Sequence, residues 1–219
     1  LLKGNYKSGL EKYEYRLTKK KPVIPHGNTI IKRGYINELQ KGEKLLVISE
    51  QGLGDTIQYM RYVPYLQKLG YEVSFCAQSK LHELIKASFI DSDPLTPEQA
   101  NTVSEGKWVP LLSIPRDLKV TAANPIITEP YIYSTNELIK KWKNLLSKER
   151  GPIIGINWQG NPNMEKYVYQ GRSIPLENFL ILSEINEIRM LSLQKGFGSE
   201  QLKNCSFKNK FVSCQSQID

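Results

Sequence analysis

Hydrophobic and polar positions alternate in blocks along this chain, and the blocks change period. Leu1, Leu2, Tyr6, Leu10, Tyr13 and Leu17 recur largely at spacings of three and four, which predicts an amphipathic helix over residues 1–17, interrupted at Gly4-Asn5 and Ser8-Gly9. Such a short piece cannot bury its apolar face alone and needs something to pack on. Residues 18–40, punctuated by Pro22, Pro25, Gly27 and Gly34, read as a crossing linker. The run Lys44-Leu45-Leu46-Val47-Ile48-Ser49 is continuously apolar over a short length, the pattern of a strand buried on both faces of a parallel sheet. A turn at Gln51–Asp55 then leads into a predicted helix, Thr56–Leu69, that Gly70 stops and Pro64 should kink. Tyr71–Ala77 reads as the second strand, Leu81–Phe89 as a helix and Lys107–Ile114 as a third strand. A helix over Asn136–Ser147 leads to Gly151-Pro152, where the pattern restarts: strand Ile153–Trp158, helix Leu176–Ile188, strand Arg189–Leu193 and a tail with at most one more strand. Strands alternating with helices predict an α/β fold. The expected organisation is a helical segment with linker (1–40), a Rossmann-like domain (41–150) and a partial second one (151–219).

Composition removes several function classes. The 219 residues, 40% hydrophobic and 24% charged, describe a folded protein able to bury a core without staples. Cys76, Cys205 and Cys214 form no Cys-x-x-Cys pair, so neither a zinc knuckle nor a disulfide framework is expected, and a reducing, cytoplasmic setting follows. His26 and His82, in separate regions, leave little for a histidine metal site or a Ser-His-Asp triad. No metal and no cofactor are expected. No apolar stretch approaches a membrane span. The net charge of +8 favours anionic partners. Much of it lies in Lys19-Lys20-Lys21 and in Lys140, Lys141, Lys143 and Lys148, where solvated surface accounts for it. With no aromatic stripe among those lysines, a nucleic-acid partner is not expected.

Three places carry candidate chemistry. Gly52-Leu53-Gly54-Asp55 sits between a buried strand and a helix, where open α/β sheets take ligands. Its glycines permit close approach. Asp55 reads two ways, as a helix cap partnered by Gln58 or as a general base toward a sugar hydroxyl. A dinucleotide fingerprint fails, because Ile57 replaces the third glycine and Cys76-Ala77-Gln78 ends the second strand without an acid. Asp91-Ser92-Asp93 resembles a metal clamp, but Pro94 makes it a turn. In the second half Gln159, Gly160 and Asn161 follow a strand end and Arg172 and Ser173 lie just before the next helix, with Lys195 ending a later strand as a further cation, a set suited to a diphosphate or, alternatively, an ordinary connecting loop.

Taken in order, Gly4-Asn5-Tyr6 to Tyr13-Glu14-Tyr15-Arg16, Leu46 to Gln58, Pro110 to Pro115, Trp158 to Pro162 and Arg172 to Pro175 resemble bacterial tetratricopeptide-repeat proteins with a C-terminal glycosyltransferase domain, similar to the heptosyltransferases of glycosyltransferase family nine. The resemblance implies a GT-B fold of two Rossmann-like halves, the N-terminal half complete and the C-terminal half truncated here. It further implies metal-independent transfer from a nucleotide-sugar donor to a saccharide or glycolipid acceptor. By it Asp55 matches the family's acid and proposed base, with Gln51, Gly52, Gly54, Thr56 and Gln58 on the substrate. Gln159, Gly160, Asn161, Arg172, Ser173 and Lys195 would meet the donor phosphates. Residues 1–17 look like the end of a repeat array that binds a protein partner. The family's donor half continues into an Asp-Ser/Thr segment followed by His, which is not found before Asp219, and the chain starts without Met. A fragment with little or no turnover of its own is therefore expected; the alternative is a non-catalytic binding or interaction module.

Overall fold

A computed structural model describes residues 1, 3–165 and 171–218. Leu2, part of the predicted N-terminal stripe, lies outside the described residues, as do residues 166–170 and Asp219. The chain divides into two compact units, Leu1–Thr135 and Asn136–Asp219.

In the first unit helix α1 covers Tyr6–Tyr13 and a 3₁₀ turn follows over Glu14–Leu17, so the helical stretch begins only at Tyr6 and runs without a break through Ser8-Gly9, where an interruption was expected. Asn5 caps α1 by accepting the Ser8 N–H at 3.2 Å, so the helix starts after the Gly4-Asn5 interruption. Strand β1 (Lys44–Ile48) is followed by α2 (Leu53–Tyr59), α3 (Tyr62–Lys68), β2 (Glu72–Cys76), α4 (His82–Ala87), α5 (Pro97–Ala100), β3 (Lys107–Pro110) and α6 (Ile114–Asp117). The strands form a three-stranded sheet in the order β2-β1-β3, with β1 parallel to both neighbours. The fold is α/β, and the complete Rossmann-like half expected from the sequence is, among the described residues, three strands wide.

The alternation along β1 explains why it is central. Leu45 and Val47 face a core with Val63, Leu66, Phe75, Ile85 and Val109, while Leu46 and Ile48 face a second cluster with Ile31, Cys76, Leu95 and Trp108. Period-two geometry sends neighbouring side chains to opposite faces, and both faces are dry. The second face is covered partly by the predicted linker: Ile31 packs on it, and Pro25 and Arg33 bridge to Glu50 and Trp108. Within the predicted linker, Pro25, Ile31 and Arg33 therefore help cover this face, while Ile36, in a 3₁₀ turn over Ile36–Glu38, enters the core on the other.

Two predicted elements change shape at prolines. The single helix expected over Thr56–Leu69 is α2 and α3, parted at Met60-Arg61. The ring of Pro64 clashes with the carbonyl of residue i−4, which is Met60, so the break falls there. Gly70 does stop α3: at φ +96° its N–H reaches the Gln67 carbonyl and the Tyr71 N–H reaches Leu66, the paired bonds of a Schellman motif. The strand expected to run to Ile114 ends at Pro110 and continues as a 3₁₀ turn, Leu111–Ser113, and α6. A continuous apolar run does not tell strand from buried helix.

In the second unit α7 (Asn136–Leu146) precedes β4 (Ile153–Ile156), α8 (Pro162–Glu165), α9 (Leu180–Ser183) and β5 (Arg189–Ser192). Strands β4 and β5 pair in parallel as a two-stranded sheet. Its core holds Ile156, Trp158, Leu176, Met190, Phe207 and Phe211. The helix expected over Leu176–Ile188 is a 3₁₀ turn, Leu176–Phe179, followed by α9. The tail adds one parallel bridge, Met190 to Phe211.

Candidate functional site

Strand β1 runs out of apolar residues at Ser49-Glu50, and both side chains stay fully buried. A carboxylate at 0% exposure needs a cation and hydrogen bonds. Arg16, from the turn after α1, supplies both: its Nε donates to Glu50 Oε2 at 3.1 Å and its Nη2 to Oε1 at 2.6 Å. The Leu112 N–H donates to the same Oε1 at 3.3 Å. Arg16 Nη2 also donates to Ser113 Oγ at 3.0 Å, and Nη1 to Glu14 at 2.7 Å. Glu14 further accepts from Ser113 Oγ and pairs with Arg33 and Arg116 at 2.8 and 2.9 Å. Burial pushes the Glu14 pKa up, but the hydrogen bonds from Arg16 and Ser113 and the charges of Arg16 and Arg116 outweigh it, so its carboxyl is held below the usual value. Burial likewise works against the Arg16 cation, and the bond and charge of Glu50 outweigh it. The signal for this cluster was present in the sequence, since a Glu ending a strand buried on both faces demands a partner.

The next residue, Gln51, has φ +65°, a left-handed conformation unfavourable for a residue with a Cβ. Its side-chain amide donates to Tyr13 Oη at 2.7 Å. Beyond it Gly52 and Gly54 are exposed, and a Cβ on Gly54 would meet nothing within 4 Å. The backbone here is open to a ligand.

Asp55 is half-buried at the start of α2, and its Oδ2 accepts the Gly52 N–H at 2.9 Å. Gly52 has no side chain to reciprocate, so this is one half of a capping box. Among the described residues no hydrogen bond reaches Oδ1. The cap is therefore not the expected one with Asp55 as N-cap and Gln58 as partner: the helix starts at Leu53 rather than Thr56, Gly52 is the N-cap and Asp55 reaches back to it from the third helical position, which leaves one carboxylate oxygen for another bond. Gln58 is exposed on the same helix. Thr56 is fully buried, and its hydroxyl donates to Gln78 Oε1 at 2.8 Å. It sits beneath the loop as a strut rather than on its surface.

The other motifs resolve simply. Asp91 accepts from the Phe75 and Asp93 N–H groups at 3.1 and 2.9 Å, as a turn residue does. Among the described residues there is no group of His, Cys, Asp and Glu able to hold a metal, and no helix long and apolar enough to cross a membrane. A cleft of about 750 Å³ opens beside α1 and α6, lined in part by Lys7, Glu11, Tyr35, Glu38 and Lys119. None of the predicted site residues lines it.

In the second unit the structure brings Gln159, Gly160 and Ser173 together. Ser173 Oγ accepts from Gln159 Nε2 at 2.6 Å and from the Gly160 N–H at 3.0 Å. It donates to Glu165, whose carboxylate oxygens lie 2.6 and 2.7 Å away. Arg172 is exposed, with its Cβ 3.7 Å from where a Cβ on Gly160 would stand. Asn161 is exposed and accepts the Asn163 N–H in a local turn. Lys195 is exposed, and among the described residues no bond ties its side chain to the cluster. Its neighbour Gln194 matters more for the fold: buried, it accepts from the Trp158 and Gln159 N–H groups at 3.3 and 2.9 Å.

Neither a protein-family model nor a curated protein nor a solved structure matches this chain.

Proposed function

We propose that the chain is the acceptor-side portion, with part of the donor side, of a metal-independent glycosyltransferase of GT-B type that moves a sugar from a nucleotide-sugar donor to a saccharide or glycolipid acceptor. The observation that carries this reading is the half-capped Asp55. Its Oδ2 is held by the Gly52 N–H beside exposed glycine backbone at the carboxyl end of a parallel strand, the place where open sheets take ligands. A carboxylate fixed through one oxygen presents the other in a set direction, as a general base toward a hydroxyl requires.

A second reading is favoured by Glu165. Its carboxylate occupies the Ser173 hydroxyl, where donor phosphate is expected, and a phosphate would meet a like charge there. A non-catalytic module that binds saccharide without transfer fits this arrangement.

The test compares Asp55→Asn with Asp55→Ala on a panel of immobilised neutral and acidic saccharides and in a transfer assay with nucleoside diphosphate sugars. Asparagine keeps an oxygen for the Gly52 N–H but cannot act as a base. If the proposal holds, the chain binds an acceptor saccharide, and Asp55→Asn retains stability while weakening that binding by about tenfold, because the carboxylate's charge-assisted bond to a sugar hydroxyl is lost. Saccharide binding that Asp55→Asn leaves unchanged would favour the second reading. If neither variant changes binding or transfer and only Asp55→Ala loses stability, Asp55 is a cap and the proposal fails.

A further inference from the structure

In the order β2-β1-β3 the chain leaves β1 to one side and returns to the other, so the crevice between the carboxyl ends of β1 and β3 is the reversal point at which such sheets usually bind ligands. Here one side chain from the turn after α1 reaches into that crevice. Arg16 lies between Glu50, just after β1, and Ser113, in the turn after β3, with bonds of 2.6 to 3.1 Å to both.

We propose that Tyr13 and Arg16 are positioning residues for the Asp55 loop, holding it from outside the sheet; the inference rests on the reading of Asp55 as the acceptor site. The loop has little packing of its own. A Cβ on Gly52 would meet only Asp55, and one on Gly54 would meet nothing. Its placement therefore comes from its ends. Downstream, the buried Thr56 is tied to Gln78. Upstream, Glu50 is gripped by Arg16 through two parallel bonds, which fix direction as well as distance. Gln51, in its unfavourable left-handed conformation, is held by Tyr13.

The two holds are one unit, because the Arg16 guanidinium stacks over the Tyr13 ring at 4.7 Å. Release of Tyr13 lets Gln51 relax, which moves Gly52, whose N–H sets the Asp55 carboxylate. A general base displaced by an ångström loses most of its effect.

Amide hydrogen exchange on the full chain tests this without substrate. Tyr13→Phe removes only the hydroxyl, and Arg16→Lys keeps the charge but not the fork. In Tyr13→Phe the Gly52 and Thr56 amides should exchange about tenfold faster, while those of Leu46, Val47 and Ile48 stay near the parent rates. Arg16→Lys should show the same local pattern more strongly. Unchanged exchange at Gly52 and Thr56 in Tyr13→Phe would overturn the proposal, and so would an equal acceleration in β1, which marks a general loss of stability. On the immobilised saccharide panel Tyr13→Phe should bind about tenfold more weakly at an unchanged melting temperature; unchanged affinity with a loosened loop would also overturn it. Failure of the parent chain to bind any saccharide would count against the acceptor reading alone, since the exchange result stands without it.

Discussion

Replacing Arg16 with alanine should be among the most damaging single changes in the first unit, and the structure says where the damage falls. Glu14 keeps Arg33 and Arg116 at 2.8 and 2.9 Å, and Ser113 keeps Glu14. Glu50 keeps only the Leu112 N–H at 3.3 Å, at 0% exposure. Removing one member of a buried ion pair strands the other and costs about 3–5 kcal/mol, a large part of the roughly 5–15 kcal/mol that holds a domain together. The paired replacement Arg16→Met with Glu50→Leu leaves no charge behind and should recover most of that loss, giving a coupling of about 2 kcal/mol or more. Urea titration followed by the amide resonances of Val47, Phe75 and Val109 reads Leu1–Thr135 alone, as two units need not unfold together. A cost for Arg16→Ala below about 1 kcal/mol, typical of an exposed pair, would refute the reasoning by showing that water reaches Glu50.

Other consequences can be checked more briefly. The lowered Glu14 carboxyl binds its proton less readily folded than unfolded, so its contribution is present above the ordinary value of 4.5 and is lost as pH falls below it toward the folded value; melting temperatures from pH 7 to 3 should drop in that window, and less steeply in Glu14→Gln. Gly151 stands at φ +84° with the Glu187 carbonyl oxygen in the way of any added Cβ, so Gly151→Ala should destabilise the second unit by about 2 kcal/mol or more, seen as loss of Trp158 indole chemical-shift dispersion. Burial, with a smaller push from the Glu98 charge, raises the Cys76 thiol to about 12; at pH 8 it should be the slowest of the three cysteines to react with a disulfide reagent until the chain is unfolded.

The sequence made the strand-helix-strand core legible because β1 is apolar without interruption and Gly70 has a single structural use. It placed Asp55 at a strand end for the same reason. It did not reveal that part of the linker packs on a sheet face, since Ile31 and Arg33 act through single contacts that carry no period. Nor did it distinguish Leu111–Ile114 from strand, because a dry environment accepts either backbone when the residues are largely apolar. Thr56 illustrates the limit within a motif. It is adjacent to Asp55 in sequence, yet one helical step, about 100°, turns it from the loop surface into the core.

The pairing of Tyr13–Arg16 with Glu50-Gln51 joins two stretches that are separate in the sequence, an amphipathic helical piece and a glycine turn. The manner of joining bears on what the first stretch is for. A helix docked by an apolar stripe alone can shift by a fraction of a turn at modest cost, since hydrophobic contact is not directional. Here α1 buries Leu10, but its last residue, Tyr13, and the turn after it dock through an amide-to-phenol bond and a buried two-bond ion pair. A small shift would leave Glu50 without its cation and Gln51 without its hold. A tether needs no such register, whereas a group that sets the position of a reactive carboxylate does, which is why the geometry fits placement of Asp55 better than simple attachment of a repeat array.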